Sequence, residues 1–244
     1  MSYAVHDLTK SFGSLQVLER IDFSFQESSI IAILGPSGCG KTTILNLVSG
    51  IIPPDSGALD GFSGKHYSYC FQEPRLLDWL TVEENMRYAL ASRLSVESTR
   101  SMTLSRIDRF LREAGLADFA SYLPRELSGG MQKRLSLARA FASPSDILLL
   151  DEAFSAVDLK QRMDLMRTFL GLWSDEKPTT IIVTHDIHDA LYLAHTIIVL
   201  SQRPSRVVSS IAIDIPHEER VFSSRSMARY EMELYRLLGF NRQE

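Results

Sequence analysis

Cysteine is nearly absent: Cys39 and Cys70 are the only two in 244 residues. That excludes the disulfide framework of a small secreted fold. Long hydrophobic runs are missing too. "IIAIL", "ILLL", "TTIIV" and "TIIVL" are all short, far from the roughly 20 apolar residues needed to cross a bilayer. The opening "MSYAVHDLTK" lacks the extended apolar segment of a secretory signal. Excess positive charge is also lacking. The formal net charge is −4, so nothing draws the whole chain to nucleic acid. No internal repeat or low-complexity tract is present. The expectation is a soluble, cytoplasmic chain whose membrane work, if any, falls to another polypeptide.

What is present is ordinary globular material, 45% hydrophobic and 23% charged. The length suits one large α/β domain, or a core with a smaller insertion. The short apolar runs have the length of buried parallel strands. Residues 1–34 read as strands and turns. Strand Ile30–Leu34 runs into Gly35, and a helix is predicted over Lys41–Ser49, with Gly50 closing it. "YSYCF" is a further strand. Then the pattern changes. Thr81 and Glu84 form a capping box. Leu104, Ile107, Leu111 and Ala114 share one helical face, closed by Gly115, and Met131, Leu135, Ala138 and Ala142 share another. Residues 74–142 are thus expected to be an all-helical insertion. Strand–helix alternation then resumes, with helices over 159–172 and 186–194. A last amphipathic helix carries Met227, Tyr230, Leu234, Leu237 and Leu238. Such alternation implies a mostly parallel, doubly wound sheet.

"GPSGCGKT", Gly35–Thr42, fits G-x-x-x-x-G-K-[ST] between a predicted strand and a predicted helix. Gly35, Pro36, Ser37, Gly38, Cys39 and Gly40 can turn backbone N–H groups toward phosphate oxygens. The helix that begins near Lys41 adds the positive end of its dipole. Lys41 brings a mobile charge to the β- and γ-phosphates, and the Thr42 hydroxyl, with Thr43 beside it, suits Mg²⁺ and phosphate. A carboxylate must hold the metal from the other side. "DILLLDE" ends a buried strand on Asp151, at the edge where open α/β sheets bind ligands. Glu152, next along, can act as general base toward water.

"LSGGM" raises a second anion site. Ser128 is a natural helix cap, and taken alone Ser-Gly-Gly says no more. Between a phosphate loop and "DILLLDE", however, Leu127-Ser128-Gly129-Gly130-Met131 resembles the LSGGQ signature of the ATP-binding cassette (ABC) ATPases, with Met in place of the usual Gln. The resemblance spans nearly the whole chain. It implies a P-loop NTPase (RecA-like) α/β core with an N-terminal β subdomain and an inserted all-helical subdomain. It assigns 1–73 and 143–215 to the ATP-binding core, 74–142 to the helical signature subdomain and 216–244 to a C-terminal helix.

The family pattern carries further roles. Phe12 matches the aromatic that stacks on adenine, although a core Phe would look the same. Gln72 matches the glutamine that contacts Mg²⁺ and water, unless it is only a polar loop residue. Ser155–Asp158 matches the segment that crosses a dimer seam, and Asp158 can also cap the next helix. His185 matches the switch histidine at the γ-phosphate; a lone His at a strand end can equally be structural.

In such proteins two chains pair head-to-tail, and each Ser-Gly-Gly closes over ATP held by the partner's loop. The resemblance therefore implies ATP and Mg²⁺ as cofactors, a homodimer, and membrane permease subunits at the inner or plasma membrane. A solute-binding protein follows indirectly, and nucleic acid is not a partner. "EPRLLDWLTVEENM" and "SQRPSRVVSSIAIDIP" further resemble importer ATPases for nitrate, sulfonates and taurine, a look shared by thiamine-precursor importers. An exporter ATPase and a soluble non-transport ATPase remain alternatives. The absence of sustained heptads between Thr42 and Leu127 speaks against a DNA-repair member. The stretch after the core is expected to be too short for a regulatory domain. Cys39, where the family has a small residue, reads as inert, with oxidation blocking the loop as a weaker option.

Overall fold

The computed structural model describes residues 2–91 and 100–239; residues 92–99 of the expected helical insertion and 240–244 of the expected C-terminal segment fall outside them. In chain order the first strands are β1 (Ser2–Phe12), β2 (Leu15–Gln26) and β3 (Ile30–Leu34), followed by helix α1 (Lys41–Val48) and strands β4 (Ser56–Asp60) and β5 (Tyr67–Cys70). Three helices come next: α2 (Val82–Ala91), α3 (Arg100–Glu113) and α4 (Gly129–Ala142). Alternation returns with β6 (Ile147–Asp151), α5 (Leu159–Glu176), β7 (Thr179–Thr184), α6 (Ile187–Leu193) and β8 (Thr196–Leu200), before β9 (Val207–Ala212) and α7 (Arg225–Leu237). None of the described helices is long and apolar enough to cross a membrane.

Two compact units divide the chain. The first comprises the residues up to Lys65 and those from Thr179 onward. Its antiparallel sheet has the order β2-β1-β4. Its other sheet is built around β3, which pairs in parallel with both β7 and β8. Every residue of β3 is buried, as a strand flanked on both edges and covered on both faces requires. β9 adds to β8 antiparallel. Its exposure alternates along most of its length, and "VVSSIA" therefore lacks the solid apolar run that marks the other core strands.

The second unit runs from His66 to Pro178. β5 and β6 pair in parallel, Tyr67 opposite Ile147 and Cys70 opposite Leu150. No strand occurs among the described residues between these two elements; α2, α3 and α4 fill the interval. The capping box opening α2 is formed: Thr81 N donates to Glu84 Oε2 at 2.8 Å, and Glu84 N donates to Thr81 Oγ1 at 3.2 Å. On α3 the buried face is Ile107, Phe110 and Leu111, with Ala114 buried just past its end, while Leu104 is exposed. Helix α5 continues to Glu176 rather than ending near 172. Gly171 does not stop it, because Trp173 is buried and its indole N–H donates to Pro178 O at 2.9 Å. The turn then closes at Lys177, at φ 43°.

A half-buried histidine ties parts of the first unit together. His195 Nδ1 accepts from Ile30 N at 3.0 Å, so the ring is neutral at that nitrogen. Burial, then the charges of His217 and Arg220, lower its pKa from 6.5 to about 4. The folded chain thus favours neutral imidazole, and its contribution to stability is complete above pH 6.5. As pH falls from 6.5 toward 4 the unfolded chain takes up the proton first, and stability drops by an amount on the order of 3 kcal/mol. Denaturant titrations at pH 7, 6 and 5 should show this slope, and His195→Asn should flatten it. An equal slope in the variant would refute the assignment.

Candidate functional site

The phosphate loop is shaped by its own backbone. Leu34 ends β3, and the chain passes through Gly38 at φ 76° and Gly40 at φ 102° before α1 begins. Those values are open to glycine and strained for other residues. At Gly40 space is also lacking: a Cβ there would lie 2.7 Å from Val17 Cγ1 and 2.8 Å from Leu18 Cδ2. Lys41 is only 5% exposed. Its ammonium donates to the carbonyls of Gly35 at 2.9 Å and Pro36 at 3.1 Å, which holds the charge within the loop. Thr42 and Thr43 follow in the first turn of α1. The positive end of the α1 dipole and the Lys41 charge together make an anion site.

Cys39 faces inward. Its side chain is buried, and its sulfur would lie 2.9 Å from a Cβ placed on Gly35. Burial raises the thiol pKa, so the reactive thiolate is suppressed. This geometry favours the inert reading of Cys39.

Two more candidates lie in the same unit. Phe12, at the end of β1, is 50% exposed and therefore is not a core residue; Lys10 Nζ sits 5.6 Å from its ring centroid. His185 is exposed just past β7. The turn that carries it is stiff. Asp186 N donates to Thr184 Oγ1 at 3.0 Å, the Thr184 hydroxyl donates to buried Asp189 at 3.1 Å, and Asp186 Oδ1 caps α6 through His188 N at 2.7 Å.

The second unit carries the remaining candidates. Asp151 ends β6, where Tyr69 Oη donates to its Oδ2 at 3.4 Å. Burial first, then the Asp151 charge, push the Tyr69 pKa well above its ordinary value. Tyr69 thus stays a neutral donor. Glu152 has φ 45°, a conformation that costs a non-glycine residue about 1–3 kcal/mol. Ser155 holds it there, its N–H and hydroxyl both donating to Glu152 O. Gln72 is exposed on the segment after β5. That segment is braced by Phe71 stacked on Tyr69 at 4.1 Å, by Arg75 over Phe71 at 3.8 Å, and by Arg139 of α4 donating to Pro74 O at 2.9 Å.

Ser128 caps α4, its Oγ accepting from Met131 N at 3.3 Å. Gly129 and Gly130 form the first turn. A Cβ on Gly129 would have no heavy atom within 4 Å. The fold of this chain therefore gives no steric reason for glycine there. Lys133, one turn on, donates to the carbonyls of Ala153 and Ser155, joining α4 to the 155–158 segment. Asp158 in turn caps α5 through Gln161 N at 2.9 Å. Ser128, Gly130, Met131, Arg134, Val157 and Gln161 line one recess.

Tyr69, Lys133 and Arg139 were not singled out by sequence. Period-2 alternation puts Tyr69 on the face of β5 opposite Ser68 and Cys70, but only the register Tyr69–Leu149 places it beside Asp151, two residues on. Lys133 and Arg139 carry no local signal, because their acceptors are distant carbonyls.

Comparison with known proteins gives a consistent picture. Residues 18–155 match the family model described as "ABC transporter". An aliphatic sulfonates import ATP-binding protein of Pseudomonas savastanoi is 38% identical over 213 residues, 86% of each chain. Its counterpart in Bacillus cereus is 35% identical over 227 residues, 89% of this chain and 88% of that one. Among solved structures, a dimeric bacterial ABC transporter cassette superposes with a TM-score of 0.74 at 26% identity, over 88% of this chain and all of that one. A dimeric post-hydrolysis state of such a cassette, bound to ADP and phosphate, gives 0.73 at 26% identity, again over 88% and 100%.

Gly40→Ala tests the loop. Both the positive φ and the approach of Val17 and Leu18 oppose a methyl there, so ATP affinity should fall at least about tenfold. Isothermal titration with ATP reads this directly, and unchanged binding would contradict the steric account.

Proposed function

The chain belongs to the ABC transporter family as an ATP-binding subunit with a P-loop NTPase core, and we propose that its ATP hydrolysis powers import of aliphatic sulfonates or chemically similar solutes through separate membrane subunits. Similarity along most of both chains to named sulfonate import proteins carries this reading and favours import over export. The proposal places the chain at the cytoplasmic face of the membrane, bound to permease subunits that receive cargo from a solute-binding protein.

Each residue is assigned a task. Phe12 stacks on adenine. The backbone of Gly35–Thr43 and the Lys41 ammonium hold the phosphates. Thr42, Gln72 and Asp151 offer only oxygen ligands, the donor set a hard cation such as Mg²⁺ takes, and the Tyr69 hydrogen bond orients the Asp151 carboxylate. Bound there, Mg²⁺ would neutralise charge on the phosphate oxygens. Glu152 orients a water and accepts its proton as the water oxygen bonds to the γ-phosphorus. The bond from that phosphorus to the β–γ bridging oxygen breaks, and ADP and phosphate result. His185 donates toward the γ-phosphate oxygens.

Ser128, Gly129 and Gly130 are assigned to ATP on a second copy of the chain. Open space around Gly129 supports this. An isologous homodimer then completes two sites about one two-fold axis. Glu152→Gln should slow turnover by about 10²–10⁴ while an ATP-bound dimer accumulates. Light scattering at saturating ATP and Mg²⁺ measures it; a monomer under those conditions would end the closing scheme.

Contact with the permease is assigned to the segment between Gln72 and α2. Trp79 is 74% exposed there, yet its backbone surroundings are ordered. The buried Asn85 amide accepts from Leu77 N at 2.9 Å and donates to the carbonyls of Leu77, Leu80 and Thr81. An exposed indole on a fixed loop suits a hydrophobic partner segment. Trp79→Ala should cut sulfonate uptake in cells about tenfold and leave ATPase activity of the isolated subunit within about twofold. Normal uptake would remove this surface from the proposal.

A further inference from the structure

A tight loop outside the assigned nucleotide machinery is fastened to the phosphate loop. The connection from β8 to β9, Ser201–Arg206, closes on itself: Ser201 N donates to Arg206 O at 3.0 Å, and Arg206 N donates to Ser201 Oγ at 3.0 Å. It is then fixed to β2, because Ser205 N donates to Val17 O and Glu19 N donates to Ser205 O, both at 2.9 Å. Arg206 adds an ion pair to Glu19 at 2.6 Å. Ser205 is fully buried, and its hydroxyl donates to the carbonyl of Cys39 inside the phosphate loop. The connection is therefore held rigidly against the anion site.

At its tip stands Arg203. A Cβ built on Gly38 would lie 3.2 Å from Arg203 Nη2, so the guanidinium lies directly against the loop backbone. Its charge is felt at the Cys39 thiol, where it opposes the rise caused by burial. Arg203 forms no ion pair or hydrogen bond among the described residues. A cation placed beside Lys41 and the positive end of α1 is electrostatically unfavourable by itself. It becomes favourable when an anion enters.

We propose that the Ser201–Arg206 connection is an accessory nucleotide-binding element in which Arg203 gives the ATP triphosphate a second cation beside Lys41. The planar guanidinium suits phosphate oxygens better than a point charge would. This inference rests on Gly35–Thr43 being the phosphate loop, and the controls separate the two.

Arg203→Gln, Arg203→Lys and the unaltered chain are titrated with ATP, ADP and AMP by calorimetry, and their nucleotide-free melting temperatures are compared. Arg203→Gln should bind ATP about tenfold more weakly, lose less for ADP, and melt no lower than the unaltered chain. Arg203→Lys should recover most of the ATP affinity. ATP affinity within about twofold of the unaltered chain, or an equal loss for AMP, overturns the role of Arg203 alone. Failure of the unaltered chain to bind ATP would instead overturn the phosphate-loop assignment.

Discussion

A backbone can grip a polyanion only if several consecutive N–H groups converge, and convergence forces φ into a region that side chains resist. Gly38 and Gly40 accept that conformation here. Glycine permits the turn but does not hold it, since it also has the most freedom to lose. The holding comes from around the loop. β3 is buried along its whole length behind it, Val17 and Leu18 close on Gly40, and Ser205 fixes the Cys39 carbonyl. Much of the first unit can be understood as a mould for these few peptide groups.

The second unit solves a different problem, which is to keep the candidate polar residues in defined positions on short loops. Glu152 is held at a strained φ by Ser155, Asp151 by Tyr69, and the Gln72 segment by Arg139. Arg139, and Lys133 which holds the Ala153 and Ser155 carbonyls, come from α4, the helix that Ser128 caps. A shift of that helix would be felt both at the Gln72 segment and at residues 153–155. Packed continuity of this kind is one route by which coupling between sites can be carried.

What the sequence disclosed follows from where the information resides. Buried parallel strands announce themselves as solid apolar runs, so β3, β6, β7 and β8 were legible, as was the Thr81–Glu84 box. β9 was not, since a half-exposed edge strand reading "VVSSIA" carries no such run. The end of α5 was misplaced because the packing of Trp173 outweighs a local glycine. The candidate site residues lie in contiguous motifs and could be named at once. Their supports could not. Tyr69, Lys133, Arg139 and Ser205 act through pairings between residues far apart in sequence, and no local spacing encodes a contact with a distant carbonyl or carboxylate.

Gly129 brings the logic of the chain into focus. Glycine is demanded at Gly40 by φ and by Val17 and Leu18, all within one molecule. At Gly129 neither reason applies: φ is helical and the space above the missing Cβ is open. Helix propensity gives no reason for the choice either, since glycine forms helix less readily than alanine. A residue that weakens its own helix and relieves no internal contact is best explained by something that approaches from outside. The first turn of α4 carries unpaired N–H groups and the positive end of a dipole, so an anion is the natural visitor. The proposed function assigns that anion to ATP held on a second copy of the chain. Under that proposal, one chain carries two phosphate-type motifs far apart in sequence because each would serve a different nucleotide.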